Sequence, residues 1–244
     1  GFFMLMKGLA EERLIAAVGN VVGCQMAMHV TKEFVQNRKV FGKPLSKFQN
    51  TRFKLAALDA EIDIAQAYVD RAVQAARRAF DEGPWPRLDP LVRGRMLYQL
   101  AERIHGRLED LAMTDTLNIG KPIRDTRGFD VPCAADLFES YAGLADKIAG
   151  KCYGTLPDNV TLQFREPLGA VAAIVPWNFP LTNAAIKLAP ILACGNTVVL
   201  KPSEVSPLSA LMLAELAHET GFPPGVLNVV HGTGAETGAA LVRH

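Results

Sequence analysis

Three short apolar runs, each followed by a helical pattern, are the feature that most constrains how this chain can fold. A continuous apolar run bounded by turn residues is typical of a parallel strand buried on both faces. Repeated strand–helix units build such sheets through right-handed crossovers. We therefore predict an α/β fold with half of a Rossmann-like parallel sheet, left incomplete where the sequence stops at His244. The predicted strands cover 170–175, 197–200 and 226–230, and the predicted helices cover 181–193, 206–220 and 234–243.

The first part of the chain is helical instead. Its pattern predicts helices over 11–36 and 51–80, joined by the loop RKVFGKPLSKFQ, so that a long helical hairpin precedes the sheet. Further helices are predicted over 91–113 and 130–148, and a strand over 161–165. Apolar residues at the 3.6-residue period predict buried stripes on two of these helices. The stripes are Leu55, Leu58, Ile62, Ala65, Val69, Ala72, Ala76 and Phe80, and then Leu97, Leu100, Ile104, Leu108 and Leu111.

Charge and cysteine content exclude several classes of protein. The net charge is +1, which gives no electrostatic reason to expect a nucleic-acid partner. No apolar run reaches the roughly 18–20 residues that span a bilayer, so no membrane partner is expected. The four cysteines, Cys24, Cys133, Cys152 and Cys194, are widely spaced, which indicates a reducing compartment and hence a cytoplasmic protein. The first 80 residues hold 12 Lys and Arg against 7 Asp and Glu, an excess that suggests two joined pieces.

Polar and turn-forming residues follow each predicted strand of the sheet. The three segments are VPWNFP, KPSE and HGTGAETG. Ligands of open parallel sheets bind at the carboxyl ends of the strands. We therefore predict that the three segments converge on one binding site.

Individual residues in these segments each allow two interpretations. Asn178 offers an amide donor for a developing oxyanion, or it caps the following helix. Lys201 reaches a ribose or phosphate, or is an ordinary exposed lysine. Glu204 accepts hydrogen bonds from ribose hydroxyls, or favours a helix N-terminus. Gly234 and Gly238, with Gly232 before them, present amides to a pyrophosphate, or only form a turn.

Taken together, longer strings resemble the aldehyde dehydrogenase family over about 72–244. The strings REPLGAVAAIVPWNFPL, LACGNTVVLKPSE and HETGFPPGVLNVVHGTG occur in the family's order. The resemblance implies NAD(P)-dependent oxidation of a small-molecule aldehyde to a carboxylic acid. It implies that Asn178 stabilises the oxyanion. The implied cofactor-binding residues are Ile174, Pro176, Trp177, Lys201, Glu204, Gly234 and Gly238.

The same resemblance has three further implications. Glu204 favours NAD over NADP, because its carboxylate would repel a 2′-phosphate. The segment 153–167 is similar to the family's oligomerisation arm, and the family forms homo-oligomers. The nucleophilic cysteine, the base glutamate and the FTGS motif of the family are not found, and no role as nucleophile is assigned to Cys133, Cys152 or Cys194. We therefore expect a catalytically incomplete chain.

The string RKVFGKPLSKFQ and its surroundings resemble the C-terminal helical domain of acyl-CoA dehydrogenases over about 1–74. That resemblance implies that Arg38, Phe41 and Gln49 contact FAD, although a basic loop with a satisfied arginine is the alternative, and we do not expect the flavin to be retained. The predicted domains are accordingly 1–74 and 75–244. Three hypotheses follow: an aldehyde dehydrogenase fragment, an FAD-dependent acyl-CoA dehydrogenase, and a non-catalytic, chimeric module that binds nucleotide or a partner.

Overall fold

The computed structural model describes residue 28 and the ranges 30–156 and 158–244. Most of the predicted helix over 11–36 lies outside those residues; residue 28 and residues 30–37 are helical, and 30–37 are named α1. The chain divides into two compact units. Ala72–His231 form one unit, and Gly232–His244 join the residues up to Arg71 in the other. Each unit is described by itself below.

In the unit that includes the residues up to Arg71, the predicted loop is a tight turn rather than an irregular connection. Strands β1 (Lys39–Val40) and β2 (Lys43–Pro44) pair antiparallel around Phe41 and Gly42. Both turn residues have positive φ, 50° and 74°. A two-residue hairpin loop with positive φ at both positions matches the right-handed twist of its strands.

Helix α2 (Gln49–Asp81) confirms the predicted second helix almost to its ends. Val69 and Ala76 on its apolar stripe have no solvent exposure, as expected. Leu58 is 48% exposed, so its predicted burial is wrong. A helical period marks which face is apolar, but it does not supply the element that would cover that face.

The last residues of the chain form a wide helical turn that is followed by a short α-helix. A π-helical turn covers Gly234–Gly238, and α9 covers only Ala239–Arg243, where one continuous helix was predicted. Gly232 has φ +134°, and a Cβ at that position would lie 2.0 Å from the Thr237 hydroxyl oxygen. Only glycine fits there.

The unit formed by Ala72–His231 opens with helices. These are α3 (Pro90–Gly106), α4 (Leu108–Ile119), the single turn α5 (Ile123–Asp125) and α6 (Val131–Ala142). The predicted single helix over 91–113 is wrong, because the backbone leaves helical geometry at Arg107 (φ −110°, ψ 24°), directly after the weak helix former Gly106. The predicted buried stripe holds, with Leu97, Leu100, Ile104 and Leu111 unexposed. Helix α6 ends well before residue 148, at Gly143.

A solvent-exposed hairpin follows these helices. Strands β3 (Lys151–Leu156) and β4 (Asn159–Gln163) pair antiparallel, so the strand predicted over 161–165 begins two residues earlier. Val160, Leu162 and Phe164 are between 57% and 76% exposed. The apolar side chains of this hairpin therefore lie outside the core of their unit.

The three predicted parallel strands are confirmed. Strands β5 (Ala170–Ile174), β6 (Thr197–Lys201) and β7 (Leu227–Val229) form one parallel sheet in that order. Helix α7 (Pro180–Ala193) joins β5 to β6, and α8 (Leu208–Glu219) joins β6 to β7. Every residue of the central strand β6 is buried, as its apolar run predicts.

Polar contacts tie the helices to the base of the sheet. The buried Trp85 ring lies 4.9 Å from Phe222, and its Nε1 donates to the Asn196 carbonyl at 3.1 Å. The Asn196 side chain in turn accepts from the Gly169 amide at 3.0 Å. These bonds fix the entrances to β5 and β6. Among the described residues, no helix has the length and apolar character needed to cross a membrane.

Candidate functional site

The carboxyl ends of β5 and β6 lie side by side. Ile174 pairs with Lys201, and the Val175 amide donates to the Lys201 carbonyl at 3.1 Å. The VPWNFP and KPSE segments therefore leave the sheet from neighbouring points. The end of β7 continues the same edge, because the Val230 amide donates to the Leu200 carbonyl at 2.9 Å.

Asn178 does not cap helix α7. The capping position belongs to Phe179 (φ −143°, ψ 72°), and no side chain makes a capping bond there. The half-buried Asn178 side chain accepts from Asn183 Nδ2 at 3.4 Å, a weak contact. Its own Nδ2 has no acceptor among the described residues. Its donor capacity is thus available at the turn.

Lys201 is not an ordinary exposed lysine. The residue is 2% exposed, and its Nζ lies 3.1 Å from Glu204 Oε2. The Glu204 side chain keeps 46% of its surface open to solvent. Helix α8 begins four residues after Glu204, so Glu204 is not in that helix's first turn. The buried Lys201 ammonium and the half-exposed Glu204 carboxylate therefore form an ion pair at the end of β6.

The other residues predicted on this edge surround the turn after β5. Ile174 and Pro176 are half-buried, whereas Trp177 is 57% exposed. Apolar side chains around a strand end are suited to line a ligand cleft.

The glycine-rich turn belongs to the other unit. Thr233 Oγ1 accepts from the Glu236 amide at 3.1 Å, and the Gly238 amide donates to the Thr233 carbonyl at 3.2 Å. The amide of Gly238 is therefore engaged within its own turn. A Cβ at Gly234 would meet nothing within 4 Å. The convergence of this turn with the first two segments stays a prediction.

None of the described cysteines is placed to act as a nucleophile next to Asn178. Cys194 is exposed directly after α7, whereas Leu192 and Ala193 at the end of that helix are buried. The 14 residues of α7 separate Cys194 from Asn178 by about 21 Å. Cys152 is exposed on β3. Burial, reinforced by Asp136 and Asp130, raises the pKa of the Cys133 thiol, which keeps it protonated.

The residues predicted to contact FAD lie on the small hairpin and the start of α2. Arg38 and Gln49 are exposed, and Phe41 is 92% exposed. Among the described residues the Arg38 side chain has no ion pair, and both interpretations of Arg38 stay predictions.

Sequence reasoning missed a buried charged group beneath the Asn178 turn. Asp115 and Asp130 have no solvent exposure, and Lys121 Nζ lies 2.6 Å from Asp130 Oδ2. Burial raises the pKa of the Asp115 carboxyl and Asp130 adds to the rise, whereas the Ser209 hydroxyl, the Leu181 amide and Lys121 oppose it. Charged residues in helical segments usually face solvent, so no sequence pattern marked these three.

The parallel sheet and its helices define a Rossmann-like α/β protein. The sequence profile of the Aldehyde dehydrogenase family matches residues 59–244, and the chain belongs to that family. The profile of the Acyl-CoA dehydrogenase C-terminal domain matches residues 1–89. The two matches overlap along helix α2.

Individual relatives agree with the family assignment. The NADP/NAD-dependent aldehyde dehydrogenase PuuC of Escherichia coli is 49% identical over 176 residues, which are 72% of this chain and 36% of PuuC. Retinaldehyde dehydrogenase 3 of Rattus norvegicus is 51% identical over 178 residues, 72% of this chain and 35% of that enzyme. The crystal structure of PnpE from Pseudomonas sp. WBC-3 superimposes with a TM-score of 0.71 at 50% identity, covering 73% of this chain and 36% of PnpE. The chain thus spans about a third of the length of these relatives.

Proposed function

We propose that this chain forms the cofactor side of an aldehyde dehydrogenase site, whose parent reaction oxidises a small-molecule aldehyde to a carboxylic acid with NAD(P). The observation that carries the proposal is the ion pair of buried Lys201 with half-exposed Glu204, next to the turn that bears Asn178. PnpE has been crystallised in complex with nicotinamide adenine dinucleotide, and PuuC is named for both NADP and NAD.

Each residue at this edge has a proposed task. The Lys201 ammonium and the Glu204 carboxylate bind the adenine ribose hydroxyls as donor and acceptor. Ile174, Pro176 and Trp177 line the cleft. The Asn178 amide donates to the oxyanion that forms when a thiolate attacks the aldehyde carbonyl. The bound nicotinamide supplies the hydride acceptor, and Gly234 and Gly238 are proposed to lie near the adenine end.

Glu204 leads us to propose NAD rather than NADP as the preferred cofactor. Its carboxylate accepts a hydrogen bond from a ribose 2′-hydroxyl, whereas a 2′-phosphate would place two negative charges together. Lys201, already paired with this carboxylate, offsets part of that repulsion.

We propose that these residues bind cofactor without turning over an aldehyde. Oxidation through a thiohemiacetal needs a thiolate next to the oxyanion donor and a base to activate water. Cys194 lies at the far end of α7 from Asn178, and the Cys133 thiol is held protonated. The proposed compartment is the cytoplasm, because Cys133, Cys152 and Cys194 are all free thiols.

Fluorescence titration tests this proposal on the full chain. We expect NADH emission to rise on binding, with NADPH binding more weakly. Lys201→Met removes the ribose donor and should weaken NADH binding by on the order of tenfold, the loss of about one charge-assisted hydrogen bond. Lys151→Met, at an exposed lysine of the same unit, is the matched control and should bind as the wild type does.

Absence of NADH binding by folded wild-type chain would reject the proposal. Equal weakening by Lys201→Met and Lys151→Met would reject the assigned role of Lys201. An aldehyde-dependent gain of NADH from NAD would reject the non-catalytic reading.

A flavin-binding function is the second candidate, favoured by the Acyl-CoA dehydrogenase profile over residues 1–89. Under this alternative Arg38 pairs with the FAD pyrophosphate, and Phe41 and Gln49 contact the same cofactor. Titration with FAD, followed by flavin fluorescence, separates the two candidates. Saturable FAD binding that Arg38→Met abolishes would support the alternative, and its absence would leave the nicotinamide cofactor alone.

A further inference from the structure

A buried cluster of charges lies under the turn that carries Asn178. We propose that Lys121, Asp130 and Asp115 are positioning residues that hold this turn, and with it the Asn178 amide, in one orientation. The proposal rests on the function proposed above only for what Asn178 does. How the turn is held follows from the contacts of the cluster itself.

Lys121 is the centre of the cluster. Its Nζ donates to both carboxylate oxygens of Asp130, at 2.8 and 2.6 Å. The same ammonium lies 3.7 Å from the centre of the Phe179 ring. A cation at this distance from a ring face is attracted to the ring, more strongly where water is partly excluded. Phe179 is the residue directly after Asn178, so Lys121 contacts the turn itself.

Asp130 and Asp115 hold the first turn of helix α7. The Thr182 hydroxyl donates to the Asp130 carbonyl at 3.1 Å. The Leu181 amide points to Asp115 Oδ2 at 3.5 Å, a long contact that satisfies one of the unpaired amides of a helix start. Asp115 Oδ1 has no hydrogen-bond partner among the described residues. The cluster therefore contacts residues 179, 181 and 182 in succession.

The Asn178 side chain itself has few polar contacts, although buried Val175 and Leu181 anchor the backbone on either side of the turn. The Asn178 side chain makes one weak contact, with Asn183 at 3.4 Å, and no capping bond closes the start of α7. An oxyanion donor is effective only when its direction is set before the reaction. The cluster restricts the direction of the Asn178 amide indirectly, because it contacts the residues that follow Asn178 in the chain.

The partners within the cluster depend on one another. Asp130 has no solvent exposure, while the Lys121 side chain is 20% exposed. Removing the lysine charge leaves the buried Asp130 carboxylate without its counterion, which is costly and favours rearrangement of the site. It also removes the cation next to the Phe179 ring. Arginine at the same place keeps both the charge and the contact with the ring.

Fluorine NMR of the full chain labelled with 5-fluorotryptophan tests the proposal. The chain has two tryptophans. Trp177 precedes Asn178 and reports on the turn, whereas Trp85 is fully buried in the core of the same unit. Trp177→Phe assigns the two signals. The variants are Lys121→Met, the conservative Lys121→Arg, and Lys151→Met as the exposed control.

We expect Lys121→Met to shift and broaden the Trp177 signal while the Trp85 signal stays in place. Lys121→Arg should restore most of the wild-type Trp177 signal. An unchanged Trp177 signal in Lys121→Met would overturn the proposal. An equal disturbance of both signals would overturn it too, since that outcome indicates a general role in the fold.

Two additions keep the result decisive. If Lys121→Met does not fold, Thr182→Val replaces it, because valine keeps the shape and removes only the bond to Asp130. Its Trp177 signal should shift in the same direction, and no shift would reject the proposal. Titration with NADH is recorded separately. A chain that binds no NADH but shows the selective Trp177 response would reject the proposed function and leave the positioning role intact.

Discussion

Burial of single charged groups shapes this site at the level of the residue. An ammonium or carboxylate loses its hydrating water when it is buried. Only well-placed hydrogen-bond and ion-pair partners offset the free-energy cost of that loss. Lys201, at 2% exposure, finds such a partner in the half-open carboxylate of Glu204. Asp115 has a poorer arrangement, with one long contact to Leu181 and one oxygen without a partner.

Asp115 should make the chain less stable as the pH rises. Burial raises the pKa of its carboxyl in the folded state, so the folded chain holds this proton more tightly than the unfolded chain does. The resulting stabilisation is fully present below the usual pKa of an aspartate. It is lost as the pH rises through the raised, folded-state pKa.

Urea unfolding of Asp115→Asn and of the wild type, from acidic to neutral pH, measures this effect. We expect the free energy of unfolding of the variant to gain on that of the wild type as the pH increases. Leu117→Met, at a 78% exposed position of the same helix α4 that carries no titratable group, serves as control and should show no such trend. A constant difference between Asp115→Asn and wild type across the range would contradict the prediction.

At the level of the element, two glycines end consecutive helices for opposite reasons. Gly106 ends α3, while Gly120 follows α4 in the left-handed region at φ +72°. A Cβ would meet nothing within 4 Å at either position, so only backbone preference separates them. Gly106→Ala should raise the free energy of unfolding by about 0.5–1 kcal/mol. Gly120→Ala should lower it by about 1 kcal/mol, because alanine disfavours that conformation.

Chemical denaturation of the two glycine variants side by side provides the measurement. Opposite signs are the expected outcome, and each variant is the other's control. Equal effects would mean that space around the helix ends, rather than the backbone, decides their stability.

Sequence periodicity predicted the strands and helices of the sheet, but it did not predict which charged residues are buried. The apolar runs at β5 and β6 and the helical pattern of α7 place these elements to within a residue or two, and burial on both faces is what makes the strand signal continuous. The same reasoning placed Asn178 and Lys201 at a strand edge. It did not reveal the burial of Lys201, Asp115 or Asp130, since the burial of a charged residue depends on the elements packed around it and not on its spacing along the chain.

The helical period also gave wrong predictions at a helix end and at a helix face that no other element packs against among the described residues. The break at Arg107 follows from one weak helix former within an otherwise continuous apolar stripe. The exposure of Leu58 reflects a face that the described residues leave uncovered. Neither property is contained in the helical period.

At the level of the whole molecule, the hairpin of β3 and β4 offers an apolar face to solvent. Val160 and Leu162 alternate along β4, so they share one face, and the exposed Phe164 follows directly after the strand. On β3, Gly154 pairs with Val160 and Cys152 pairs with Leu162, which continues that face across the hairpin. This exposed apolar face leads us to propose that the hairpin mediates association of copies of the chain.

Replacing Val160 and Leu162 together by lysine should therefore lower the self-association of the chain. Two charges on the apolar face would have to be desolvated at a contact between copies, and like charges would then face each other. Light scattering coupled to size-exclusion chromatography measures the mass of the species in solution. Leu168→Lys, at an 88% exposed leucine outside the hairpin, is the matched control and should keep the wild-type mass. If the double variant and the control share one mass distribution, association proceeds through another surface, and the exposed hairpin has no part in it.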